Sequence, residues 1–255
     1  MLQLISIMLI SFIVQQNAHA IEDVQIGLSS ESISITSSFS GTTISVFGLI
    51  ENGNLYLLNN KGYDVIVALV GPIETIVVRR KQKKGGIWIN GDSQIFTQVP
   101  ASYSVATTRP LELAISAEEM KSLQIGFKKL SFQKEKNHES KENVLEFKES
   151  LIRLKARQNL YLENIGSVDF LSPSFFRAKL ILPKTVPMGF HRAKAYLFRN
   201  GELVTSRSTF LHVKKIGFEQ VIYDLAHQNS WLYGILCIGV AITTGWLASI
   251  VFRKD

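Results

Sequence analysis

Between residues 24 and 110, apolar and polar positions alternate in short runs broken by turn residues. Ile33, Ile35 and Phe39 stand against Ser32, Ser34, Thr36 and Ser38, and beyond Gly41 the alternation resumes at Ile44, Val46 and Ile50. A period of two puts such side chains on one face of a half-buried strand, and Asn52-Gly53 reads as a hairpin-type turn closing the segment. Residues 65–70 form a solid apolar run ended by Gly71-Pro72, and 76–78 follow. Unbroken runs of this length predict central strands buried on both faces. Shorter strands are predicted at 86–89, 94–97 and 103–106, separated by Asn90-Gly91 and Val99-Pro100. Closely spaced short strands point to a sandwich rather than a βαβ fold.

The period then lengthens. Ser116 with Glu119 forms a capping box that opens a short helix through about Leu123. After the charged stretch 134–142, Val144, Phe147, Leu151, Leu154 and Tyr161 recur at helical spacing. They predict an apolar stripe packed on the sandwich, with a partner docking on it as the sharper alternative. Strands resume at 175–182, 193–198 and 203–213, the last two joined at Asn200-Gly201, a strong short-range hairpin signal. Phe218, Val221, Ile222 and Leu225 give residues 214–230 an amphipathic pattern suited to an interfacial helix.

The two ends differ from everything between them. Leu2 to Val14 is apolar apart from Gln3, Ser6 and Ser11, and Ala18-His19-Ala20 fits the small-x-small cleavage rule. No Lys or Arg precedes the run, yet about 13 apolar residues suit a signal peptide better than a span. An uncleaved anchor is the alternative. Residues 231–252 carry no charge and are long enough to cross a hydrocarbon core of about 30 Å. Trp231 and Tyr233 near one end, Trp246 nearer the other and Arg253-Lys254 just beyond place the C-terminus in the cytoplasm. Ala241, Gly245 and Ser249 recur every four residues, a packing face for a membrane partner or a second copy, with Thr244 and Ser249 as hydrogen-bonding groups.

The expected organisation is a signal peptide (1–20), an N-terminal β-sandwich region (21–112), a helical insertion (113–165), a C-terminal β region (166–215), a juxtamembrane segment (216–230), a transmembrane helix (231–252) and a cytoplasmic tail (253–255). The fold class is mainly β, with immunoglobulin-like sandwich units.

Charge adds a preference without a specific partner. The chain has 28 basic and 21 acidic residues, a net +7 that favours anionic surfaces but is too diffuse for nucleic acid. Its single cysteine, Cys237, lies in the predicted span, so no intramolecular disulfide forms. Arg79, Arg80, Lys81, Lys83 and Lys84 are the densest cationic cluster, a candidate site for a small anion or anionic lipid. The plainer reading is a solvated hairpin rim whose lysines protect an edge. Gly85-Gly86 supplies a turn, not a phosphate cradle. Trp88, flanked by Ile87 and Ile89, reads first as a core residue and second as an exposed anchor. His138, His191, His212 and His227 show no metal-ligand spacing, and no GxSxG is present. The expectation is a protein that is not an enzyme and has no cofactor.

Several stretches carry a resemblance: SITSSFSGTTISVFG from Ser34, YDVIVALVGP from Tyr63, VRRKQKKGGIWIN from Val78, YSVATTRPL from Tyr103, AYLFRNG from Ala195 and KIGFEQ from Lys215, with Tyr233-Gly234 and Gly245-Trp246 in the span. In these the chain resembles the alphaproteobacterial family of putative transmembrane proteins. The resemblance implies a bacterial inner-membrane protein with an export signal, a β-rich periplasmic region and one C-terminal span. It implies no activity, and points to association with a transport or envelope system, a transporter being the implied membrane partner.

Overall fold

The computed structural model describes residues 21–134, 144–217, 222 and 225–252. The predicted signal peptide, the charged stretch 135–143 with His138, Phe218 and Val221 of the juxtamembrane pattern, and the tail 253–255 lie outside the described residues.

The alternating segments make the first sheet, in the order β1 (Asp23–Leu28), β3 (Gly41–Glu51), β11 (Phe175–Pro183) and β10 (Val168–Phe170), antiparallel throughout. Its inward positions are Ile44, Val46, Ile50, Phe176 and Leu180, each two apart from the next in its own strand or further along it, as the period of two requires. The second sheet runs β2 (Ser32–Ile35), β13 (Glu202–Lys215), β12 (Gly189–Arg199), β4 (Tyr63–Val70), β7 (Tyr103–Thr107), β9 (Tyr161–Ile165). Val65, Val67, Leu69, Leu197 and Leu211 on one face of this sheet pack against the first sheet. Ile66, Ala68, Val105 and Phe198 on the opposite face pack with Leu111, Met120 and Ile152 from α2 (Leu111–Ala114), α3 (Ala117–Ser122) and α4 (Val144–Arg157). Sheet, sheet and helices therefore form three layers, and β4, in the middle, is apolar on both faces because both are covered.

The mainly-β sandwich is present, while its immunoglobulin-like detail is not confirmed: the larger sheet has six strands, and its β2/β13 and β7/β9 pairs are parallel. Strands before and after the helical stretch share both sheets, since β3 pairs with β11 and β4 with β12.

Local signals held where the chemistry was self-contained. Ser116 Oγ accepts from the Glu119 N–H at 3.2 Å and caps α3. Asn200 and Gly201 take φ of 54° and 84°, the two left-handed residues of a tight hairpin between β12 and β13. Elsewhere the expectations need correction. Asn52-Gly53 does not close a hairpin; it leads into the short helix α1 (Leu55–Asn59), capped by the Asn54 side chain. The helical stripe turns through Phe147, Leu151, Ile152 and Lys155, leaving Leu154 exposed, and Tyr161 lies beyond the helix in β9.

Residues 76–78 are not a central strand. They belong to β5 (Ile73–Lys84), which pairs with β6 (Ile87–Pro100) and, through β6, with β8 (Gln133–Lys134) in a third, smaller sheet. Neither Asn90 nor Gly91 has a positive φ, so the predicted strands at 86–89 and 94–97 are one strand, and the dipeptide sits at a bulge opposite Arg79–Lys81.

The C-terminal apolar run forms α5 (Ser230–Val251), 22 residues and about 33 Å long. None of its residues is buried among the described residues, so its apolar surface has no covering layer there.

Candidate functional site

The pairing of β4 with β7 does not stop at the edge of the second sheet. Gly71 N–H donates to Ser102 O and Ala101 N–H to Pro72 O, both at 2.8 Å, carrying the ladder from Val70 opposite Tyr103 to Ile73 opposite Pro100. β5 and β6 thus continue the same two-stranded ribbon, and twelve residues of β5 make an arm about 40 Å long. Its turn is Gly85-Gly86, with φ of 55° and 85°, a conformation that favours glycine at both positions.

Helix α4 holds the lower part of this arm. Val78, Phe96 and Val99 pack with Phe147 and Leu151 of the helix. Lys155, itself buried, donates to Glu74 Oε1 at 2.5 Å and to the Ala101 carbonyl at 3.0 Å, so its ammonium is paired where its stem is desolvated. Arg80 donates to Glu146 Oε2 at 2.6 Å and lies over the Phe147 ring at 5.3 Å.

This arrangement divides the basic run. Strand alternation turns Arg80 toward the helix and its acid, while Arg79, Lys81 and Lys83 point to the opposite, exposed face. Among the described residues no acidic side chain pairs with Arg79, Lys81, Lys83 or Lys84. The five cations therefore do not converge on one small anion. Trp88 is not a core residue: it is 65% exposed, between Ile87 at 69% and Ile89 at 40%. The arm ends in three large apolar side chains beside three lysines.

The arm's joint with the sheet holds a residue whose placement the spacing of histidines does not reveal. His191 is fully buried, its Nε2 has no partner among the described residues, and its Nδ1 lies 3.3 Å from Gly189 O. A Cβ on Gly71 would stand 2.9 Å from the Ser102 nitrogen and 3.3 Å from His191 Nε2, so only glycine leaves room there. The usable signal was His191, Ala193 and Ala195 alternating on one face of β12. His212 instead stacks on Phe190 at 4.4 Å on the open surface.

Burial lowers the His191 pKa from its ordinary 6.5. Protonation then favours the unfolded chain, so stability is fully present above about pH 6.5 and is lost as pH falls toward the lower folded pKa. Burial pushes Glu163 up, and that carboxyl acts with the opposite sign. The melting temperature of the wild type relative to His191→Gln should therefore drop between pH 7.5 and 5.5. Parallel pH curves for the two proteins would show that the imidazole is not the group responsible.

Ala241, Gly245 and Ser249 lie on α5, exposed, and the Thr244 hydroxyl donates to its own helix at Val240 O, 2.7 Å away. Among the described residues no group of three His, Cys, Asp or Glu side chains is placed to hold a metal.

Fold and site together define a β-rich domain joined to one C-terminal helix of membrane-spanning length and composition. The chain matches the family described as Putative transmembrane protein (Alph_Pro_TM) over residues 23–254, and it belongs to that family. No curated protein matches it. A chain from structural work on T cell specificity and activation by the bacterial superantigen toxic shock syndrome toxin-1 is similar at 8% identity and a TM-score of 0.25, covering 76% of this chain and 100% of its own. A likeness at that level carries no argument about fold or function.

Proposed function

We propose that this protein is a non-catalytic accessory protein of a bacterial inner membrane, with its β domain in the periplasm, its C-terminus in the cytoplasm, and its arm as the working part near the bilayer. It would serve a transport or envelope system by associating with an integral membrane protein of that system. The observation that carries this reading is topological. β4 and β13 flank β12 and are each antiparallel to it, so they run in the same direction. Val70, where the chain leaves for the arm, and Lys215, where it leaves for α5, therefore lie at the same end of the sheet. An arm starting from the tethered end stays close to the membrane and to whatever sits in it.

Small-anion capture is disfavoured by the divergence of the cations and by the Arg80–Glu146 pair. Protease added to spheroplasts should remove the β domain, and the mature chain should begin at Ile21. A domain protected until the cells are lysed would overturn the orientation, and intact mass showing residues 1–20 retained would remove the cleavage.

A further inference from the structure

We propose that the tip of the arm is a second membrane contact, seating Ile87, Trp88 and Ile89 in the interface of an anionic bilayer while the surrounding lysines reach its phosphates. This rests on the reading of the domain as tethered beside the membrane. Two features of the tip favour lipid over a protein partner.

The first is that its apolar side chains occupy both faces of the ribbon. Residues directly opposite across a ladder share a face, so Trp88 lies beside Lys83 on one side, and Ile87 beside Lys84 with Ile89 beside Gln82 on the other. A protein surface covers one face of such a ribbon. A fluid interface surrounds it and covers both.

The second is the charge. From Arg79 to Gly91 there is no acidic residue, and among the described residues no acidic side chain pairs with the exposed Arg79, Lys81, Lys83 or Lys84, which suits a surface of lipid phosphates. Tryptophan and lysine also share the same preferred depth, an apolar body toward the acyl chains and a polar end in the headgroups.

Reach sets the arm's inclination. Fourteen residues separate Lys215 from Ser230, but Ile216 still pairs with Ile35 and residues 222 and 225–228 are helical, so the link is well short of the roughly 50 Å of an extended chain, and an arm of about 40 Å from the same end of the sheet meets the bilayer tilted rather than upright. Depth is limited by the backbone. The outer edges of a two-stranded ribbon carry unpaired N–H and C=O groups that hydrocarbon cannot satisfy, so the tip sits about 5–10 Å deep, at the headgroup boundary.

The test uses the full chain with Trp231 and Trp246 changed to Phe, leaving Trp88 as the sole tryptophan. It is reconstituted into vesicles of phosphatidylcholine alone or with phosphatidylglycerol. In the anionic vesicles Trp88 emission should shift to the blue and be quenched by lipids brominated near the carbonyl, with less quenching as salt rises. Changing Lys81, Lys83 and Lys84 to Gln should lower the ratio of seated to free tip on the order of 100-fold. Far-ultraviolet circular dichroism of that variant checks that the domain remains folded, and Ile87→Ser with Ile89→Ser provides a second variant in which quenching should be lost while charge is kept. Trp88 that stays water-exposed and unquenched in both vesicle types overturns the lipid contact. If it then crosslinks to a protein in native membranes, the occupant is that protein and the bilayer is excluded. Either outcome leaves the spheroplast result intact, since reconstitution does not depend on export.

Discussion

Gly48→Ala is expected to destabilise the domain by about 3 kcal/mol, at the upper end of what overpacking a core costs. Gly48 lies in the middle of β3, opposite Ile26 on one side and Phe176 on the other. A Cβ there would run into the ring of Phe176, which is fully buried and meets Phe170 edge-on at 6.1 Å. Neither partner can retreat easily: the strand is hydrogen-bonded on both edges, and the ring has the second sheet behind it. Phe176→Leu alone removes apolar contacts and is itself destabilising, yet it vacates the space the new methyl needs. The double variant should therefore be more stable than the two single losses predict, by about 1 kcal/mol or more in urea unfolding of the detergent-solubilised protein. Losses that add to within about 0.5 kcal/mol would show that the ring does not set the requirement for glycine.

The second large effect concerns Asp64, a buried carboxylate in an otherwise apolar strand. Arg109 grips it with two hydrogen bonds, Nε to Oδ1 at 2.7 Å and Nη2 to Oδ2 at 2.5 Å, and the Thr108 hydroxyl adds a third at 3.0 Å. Removing the cation strands a desolvated charge, whereas removing the carboxylate leaves an arginine that is half exposed and free to hydrate. Arg109→Ala should cost about 2–3 kcal/mol, less than a fully buried pair because water already reaches the guanidinium. Asp64→Leu should cost clearly less, and adding it to Arg109→Ala should restore much of the lost stability. An Arg109→Ala protein that melts with the wild type, or a double variant less stable than Arg109→Ala alone, would show that the pair is not what makes Asp64 tolerable.

The elements most legible in the sequence were those whose cause is local. The run through β4 announced a strand covered on both faces, the Ser116 hydroxyl announced a cap, and the apolar run through α5 announced a helix of membrane-spanning length. What could not be read locally was decided by neighbours far along the chain. Asn90-Gly91 carries the same letters as Asn200-Gly201, but the chain has already reversed at Gly85-Gly86, and a second turn would leave a strand too short to pair. Trp88 has strand neighbours on both sides, and nothing in them records that this part of the ribbon has passed beyond any covering layer. The apolar spacing of α4 gives no sign that Lys155 is buried; its partners, Glu74 and Ala101, lie 81 and 54 positions away. The basic run was visible as a cluster, while its division between two faces required the pairing register and Glu146.

The interleaving of the two sheets also dictates an order of assembly. Val67 pairs with Ala195, 128 positions later, and Ser45 with Lys179, so neither sheet can be completed until β11 and β12 have emerged. Until then β3 and β4 each lack a neighbour that occupies one edge in the finished sheets, and β4 is a strand whose residues are buried on both faces once the fold is complete. Closing loops of that length is entropically slow, which makes this a late-folding, high-contact-order domain. A chain threaded to its site of folding from the N-terminus would set β1 against β3 and β4 against β7 early, yet one edge of β3 and one of β4 would stay open until residues 175–199 arrived, and an open apolar edge is the state most prone to aggregate.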